Sequence, residues 1–268
     1  MVTFRACLQR RRRFLPNSLR QVGRGFTLAL GAWPRTRGAM TEFVVALAIF
    51  LLSHSLPTRT GLRQRLSLAF GERVYLIGYS ILSILLLGWL ISAAARAPFV
   101  PLWDLEPQHY WVPLLLMLPA SMLFVGGAAS ANPLSVTFSR RDFDPARPGL
   151  VGITRHPILW GFALWSFSHA VPNGDLVSLI MFGGFGLFAL VGMVAVDRRK
   201  RRALGESWDR LAGTTSIVPL AALLAGRAAA RWRVFDLLAT IFGGTMLYLA
   251  LLRLHPVVIG PDPAAILG

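Results

Sequence analysis

Leu176–Val196 is a run of 21 residues without a single charge. As a helix rising 1.5 Å per residue it covers about 30 Å, the thickness of a bilayer's hydrocarbon core. Five further apolar runs repeat the pattern: Thr41–Pro57, Val74–Ala97, Tyr110–Ala131, Leu150–Val171 and Val234–Leu252. Within lipid only helices and closed barrels satisfy their own backbone. The expected fold is therefore all-α, a polytopic membrane helical bundle of about six transmembrane helices. Composition agrees, since 54% hydrophobic against 15% charged residues is too apolar for an ordinary soluble domain. Thr41–Pro57 is short, and Leu150–Val171 carries Arg155 and His156 near its start. Ile217–Ala225 is shorter still and reads as an interfacial or re-entrant piece.

The net charge of +16 suggests an anionic partner, but most positive charges flank the apolar runs. There is no interleaving of aromatic and basic residues of a base-reading kind, so nucleic acid is not an expected partner. The connection after the first run holds Arg59, Arg63, Arg65 and Arg73. The connection after the third holds Arg140, Arg141, Arg147 and Arg155, and a cluster from Arg198 to Arg202 follows the fifth. Alternate connections carry Asp104, Glu106 and Asp175 instead. By the positive-inside rule the odd connections face the cytoplasm and both ends of the chain face outward.

Residues 1–39 conflict with that orientation, because they hold nine arginines and no acid. The expected organisation is a basic extension over 1–39 outside the working protein, a transmembrane domain over 40–260 and a short tail over 261–268. The extension reads either as an upstream start ahead of Met40 or as a basic, acid-free targeting peptide.

Cys7 is the single cysteine, so disulfides, thiolate metal sites and cysteine nucleophiles drop out. The imidazoles are His54, His109, His156, His169 and His255. An ionisable residue at membrane depth is costly and is a functional candidate by default. His54, in LLSHSLP, reads either as a helix-end histidine or as a ligand for a buried metal or haem, since neutral imidazole suits iron and copper. His156, in TRHPILWG, sits where Pro157 suits a first helical turn. There Arg155 and the free backbone donors face an anion, or Trp160 simply anchors a basic helix start. His169, in FALWSFSHAVP, has Trp165 one turn before it and Phe162 two turns before it. That stripe is either packing or a flat wall for a porphyrin or polyene. His156 and His169 are 13 residues apart, about 20 Å along a helix, so they cannot share one metal. A two-histidine site needs another span, and His54 is the donor available. His109 and His255 read as helix-end residues, Asp197 as part of a cytoplasmic stop, and Asp236 as a helix cap. No nucleophile elbow, phosphate loop or HExxH pair is present.

LLSHSLPTR, GLVGITRHPILWGFALWSFSHAVPNGD and the basic VDRRKR together resemble the NnrU family over about residues 40–260. The resemblance implies a bacterial inner-membrane protein associated with denitrification and nitric oxide metabolism. A related plastid branch, the 15-cis-zeta-carotene isomerases, implies haem b held by histidines that match His54 and His169. That branch carries a cysteine three residues before the second histidine, where this chain has Ser166. Depth along the spans pairs His54 with His156 instead, unless Pro157 and Gly161 break the fourth span. The expected cofactor-binding set is thus His54, His169, His156, Trp165 and Arg155, with His54 and His169 as metal ligands. The Arg-His-Pro start also resembles membrane methyltransferases that use S-adenosylmethionine, but their later acid pair is replaced by Val196-Asp197-Arg198-Arg199. The expected function is a haem-binding membrane protein with redox or isomerase chemistry on an apolar small molecule. The alternatives are a lipid or isoprenoid methyltransferase and a non-enzymatic accessory or transport component.

Overall fold

The computed structural model describes residues 29–229 and 231–266. Most of the expected extension over 1–39 lies outside the described residues. The chain divides into two compact units: one holds the residues up to Pro101 with Asp175–Val177, the other Leu102–Gly174 with Ser178 onward.

The first unit contains α1 (Ala29–Arg59), α2 (Leu62–Phe70) and α3 (Glu72–Arg96). Gly61, at φ 69°, turns the corner between α1 and α2, a left-handed conformation that glycine adopts without strain. Glu42 of α1 accepts from Arg96 Nη2 at 2.5 Å and from Trp89 Nε1 at 3.1 Å. His54, further along α1, meets Tyr79 nearer the start of α3. Rising numbers on α1 thus meet falling numbers on α3, so the two helices form an antiparallel hairpin. Ile84 and Leu85 of α3 are 69% and 66% exposed, an apolar surface suited to lipid chains.

The second unit is built on α4 (Trp111–Ala129), preceded by a 3₁₀ turn at Pro107–Tyr110. After it come α5 (Leu150–Ile153), α6 (Pro157–Ala170), α7 (Leu176–Leu204), α8 (Glu206–Gly213), α9 (Ala221–Leu224) and α10 (Val234–Val258). α10 contains a π turn at Ala239–Gly243. Two seams of small residues bring neighbours close to α4, as helices pack where no water drives them together. A methyl group built on Gly161 of α6 would lie 2.7 Å from the carbonyl oxygen of Ala120. On the other side, Gly244 of α10 meets Met122, and Tyr248 donates to Leu114 O at 3.0 Å.

Among the described residues, five helices are long and apolar enough to cross a bilayer: Gly38–Pro57 within α1, α3, Pro107–Ala129, α7 and α10. The expected fourth span, Leu150–Val171, is not one helix but two pieces, α5 and α6. The cause is local. His156 precedes proline and is driven out of the helical region (φ −121°, ψ 61°), while Pro157 starts a new helix at its first position. α6 has 14 residues, about 21 Å, short of a full span. It runs antiparallel to α4: Gly127 lies against Pro157, and at the far end Val171 O accepts from Trp103 Nε1 at 3.0 Å. Ile217–Ala225 becomes the four-residue α9, too short to cross. Asp236 does not cap its helix; it pairs with Arg141 Nη2 at 2.5 Å.

Gly161→Ala forces backbone apart at the α4–α6 seam, and its overpacking cost of about 1–3 kcal/mol exceeds the gain of about 1 kcal/mol in helix propensity. A lower thermal midpoint in detergent checks this, with Gly183→Ala, which faces open space within α7 and so gains only helix propensity, as a control whose midpoint does not fall.

Candidate functional site

The break between α5 and α6 exposes backbone that lipid cannot satisfy, and groups from the neighbouring loops bond to it. Arg155 N donates to Ser216 O at 2.8 Å, and Leu220 N donates to Ile153 O at 2.8 Å. Thr154 Oγ1 and Trp160 Nε1 both donate to Ile217 O, at 3.0 and 2.8 Å. Asn132 Nδ2 donates to Arg155 O at 2.9 Å. The loop after α8 and the loop after α4 therefore clamp residues 154–156.

Inside that clamp lies a buried charged cluster. Arg155 Nη1 is ion-paired with Asp197 Oδ2, and its second terminal nitrogen donates to Ala212 O at 3.1 Å. The guanidinium also lies 5.0 Å from the ring centre of Trp208. His156 is fully buried. Its Nδ1 lies 2.7 Å from Ser135 Oγ, and its Nε2 lies 2.9 Å from Asp197 Oδ1, close enough for an ion pair but not aligned as a hydrogen bond. Both ring nitrogens of His156 thus face protein groups at close range.

His169 stands at the other end of α6, about 20 Å from His156 by helical rise. Its Nδ1 is 2.7 Å from Trp165 O. A carbonyl oxygen only accepts, so Nδ1 carries the proton and Nε2 keeps its lone pair. Ser168 Oγ donates to the same carbonyl at 2.9 Å. The ring sits 5.6 Å from Trp165 and 5.6 Å from Phe182, and Trp165 in turn meets Phe162 and Phe185. Ser166, fully buried, donates to Phe182 O and ties α6 to α7. His54, in the first unit, repeats the arrangement: Nδ1 lies 2.7 Å from Phe50 O, and Ser53 Oγ donates to that carbonyl at 2.8 Å. Among the described residues the Nε2 atoms of His54 and His169 have no hydrogen-bond partner.

The NnrU protein family matches residues 42–263. This chain belongs to the NnrU family. It is also 34% identical over 79 residues to 15-cis-zeta-carotene isomerase, chloroplastic, of Zea mays, and 33% identical over 79 residues to the protein of the same name in Arabidopsis thaliana. Each match covers 30% of this chain and 22% of the relative's length, so the chain spans less than a quarter of the curated relatives it matches. No solved structure matches.

Of the residues expected at a site in this NnrU protein, Arg155 and His156 come together, and Trp165 and His169 come together. His54 belongs to the first unit. Three partners went unread in the sequence: Asp197, Ser135 and His255. Asp197 carried a usable signal, because a lone acid has no place in a stop made of arginine and lysine. Ser135 carried none. His255, expected as a plain helix-end residue, stacks with its ring centre 6.5 Å from that of His169.

The expected cofactor set fits imidazole-held iron at two of its members. A metal-ligating histidine characteristically donates its other ring N–H to a carbonyl or carboxylate, which fixes tautomer and orientation. His54 and His169 have that build, and an aromatic wall flanks His169. His156 instead stands at the helix break, with Nδ1 2.7 Å from Ser135 Oγ and Nε2 2.9 Å from Asp197 Oδ1.

Asp197→Ala leaves the Arg155 guanidinium buried without its counter-ion, a loss of about 3–5 kcal/mol for a broken buried pair. Thermal unfolding of the purified protein measures it, and Asp197→Asn, which keeps the hydrogen-bonding shape, retains part of the stability.

Proposed function

We propose that this NnrU protein is a multi-pass protein of the bacterial inner membrane that binds haem b and serves redox or isomerase chemistry on an apolar small molecule. The observation that carries the proposal is the tethered imidazole of His169, with Nδ1–H fixed to Trp165 O and Nε2 left free beside Trp165 and Phe182. His54 has the same build and is the partner that the family resemblance implies. Histidine-held haem iron would supply electron transfer and a binding position for a small ligand such as nitric oxide.

The chain's own residues account for the rest. The carbonyl tether keeps His169 in one tautomer and removes ring rotation as a cost of binding. Trp165, Phe162, Phe182 and Phe185 offer an apolar face to a flat conjugated molecule and exclude water from it. Arg155, His156 and Asp197 hold the start of α6, which carries His169 at its end. The methyltransferase reading needs Arg155 and His156 to hold a donor; Asp197, Ala212 O and Ser135 take up part of both side chains, while among the described residues Arg155 Nε and His156 Nε2 have no hydrogen-bond partner. The accessory or transport reading has no observation of its own in its favour.

Six crossings with both ends outward remain our topology. α6 supports it by returning along α4 from Gly127 to the level of Trp103 despite its length. Reporter fusions after Glu106 should be active outside, and fusions after Arg202 should be active inside; equal sidedness would refute the six-span scheme.

Protein purified in detergent should carry haem b, seen as a Soret band and a pyridine haemochrome of b type. His169→Ala should lose most of that haem while remaining monodisperse. A colourless wild-type protein from haem-replete cells would refute the cofactor.

A further inference from the structure

α7 is longer than the apolar layer it crosses. Its uncharged part, Leu176–Val196, covers about 30 Å, and the helix continues from Asp197 to Leu204, about 12 Å further. That extension lies at the depth of the phosphate-bearing headgroups, and it carries Arg198, Arg199, Lys200, Arg201 and Arg202. The one acid of the run is turned the other way. Asp197 is drawn into the buried cluster, ion-paired with Arg155 and 2.9 Å from His156 Nε2. Among the described residues none of the cations from Arg198 to Arg202 has a carboxylate within ion-pairing distance, although Glu206 and Asp209 follow on α8.

The cations are also aligned with an apolar ridge. At about 100° per residue, Leu187, Val191, Val194, Arg198, Arg201 and Arg202 fall within about 100° of one another around the helix. Leu187, Val191 and Val194 are 59%, 58% and 42% exposed, and all three arginines are exposed. Arg202 Nε donates to Arg198 O at 3.2 Å, which lays that side chain back over the preceding turn toward Arg198. One face of α7 thus presents about 10 Å of aliphatic side chains and then three guanidinium groups. Aliphatic surface of this kind takes an acyl chain. Guanidinium groups without an internal counter-ion take a phosphate, whose oxygens match their planar fork. A zwitterionic headgroup brings its own cation to the same place and satisfies the cluster less well than an anionic one.

We propose that this face of α7 binds an anionic phospholipid of the cytoplasmic leaflet, with an acyl chain along Leu187, Val191 and Val194 and the phosphate held by Arg198, Arg201 and Arg202. The choice of leaflet rests on the topology above; the site itself is independent of any haem. It lies on the lipid-facing side of the helix whose Asp197 fixes the start of α6, so bound lipid steadies that anchor from without.

The test uses the full-length chain, delipidated in detergent, as wild type, as the double variant Arg198→Gln/Arg202→Gln, and as the charge-matched double variant Arg140→Gln/Arg147→Gln in the loop after α4. Phosphatidylglycerol and phosphatidylcholine of the same chain length are titrated into each. Bound lipid is counted by native mass spectrometry, with the thermal midpoint as a second readout. Wild type should retain phosphatidylglycerol in preference to phosphatidylcholine and should gain in midpoint with it. Arg198→Gln/Arg202→Gln should bind phosphatidylglycerol about 30-fold more weakly, for two cations lost, while its lipid-free midpoint stays that of wild type. Arg140→Gln/Arg147→Gln should keep wild-type binding. Equal retention of the two lipids by wild type overturns the site, because no anion is then recognised. An equal loss in both double variants overturns it too, because only bulk charge is then at work. A midpoint gain that inorganic phosphate alone reproduces assigns the cluster to a free anion and overturns the lipid.

Discussion

A helix interrupted inside an apolar bundle leaves peptide groups that neither lipid nor water can satisfy, and everything in the second unit follows from how this chain meets that demand. Pro157 removes a donor and drives His156 out of the helix. Ser216 O and Asn132 then bond the backbone of Arg155, Ile217 O accepts from the Thr154 and Trp160 side chains, and the Asp197 carboxylate pairs with the Arg155 guanidinium. An ion pair in such surroundings adds little net stability over apolar packing, yet removing one partner is expensive. Its value here is positional. It fixes where α6 begins, and the small-residue seam against α4 fixes its direction.

Position at one end of α6 becomes orientation at the other. Ser168 and the Trp165 carbonyl hold the His169 ring, and Phe182 and Phe185 arrive from α7 to complete an aromatic wall. The same device, a serine before the histidine and a carbonyl four residues back, recurs at His54. In both places Nδ1 is tied to the carbonyl and Nε2 has no hydrogen-bond partner among the described residues.

The legible part of this fold was periodic and local. Uncharged runs gave the long helices, and the Phe162–Trp165–His169 stripe gave one side of the aromatic wall. Pro157 and Gly161 pointed to a weakness in the fourth run, although the extent of the break depended on the loop after α8. The unread part was long-range. Arg155 and Asp197 are 42 residues apart, and His169 and His255 are 86 apart. A single chain carries no sign of which helix faces which. Asp197 was absorbed into a basic stop, and His255 into a helix end, because each was judged by its neighbours in sequence rather than in space.

Under the proposed function, iron would be held by neutral imidazoles whose other nitrogens are tied to backbone carbonyls. Near-infrared magnetic circular dichroism of the ferric protein reads the axial pair directly. The charge-transfer band of paired neutral imidazoles is expected. A band characteristic of sulfur or oxygen ligation, or no haem signal at all, would contradict it.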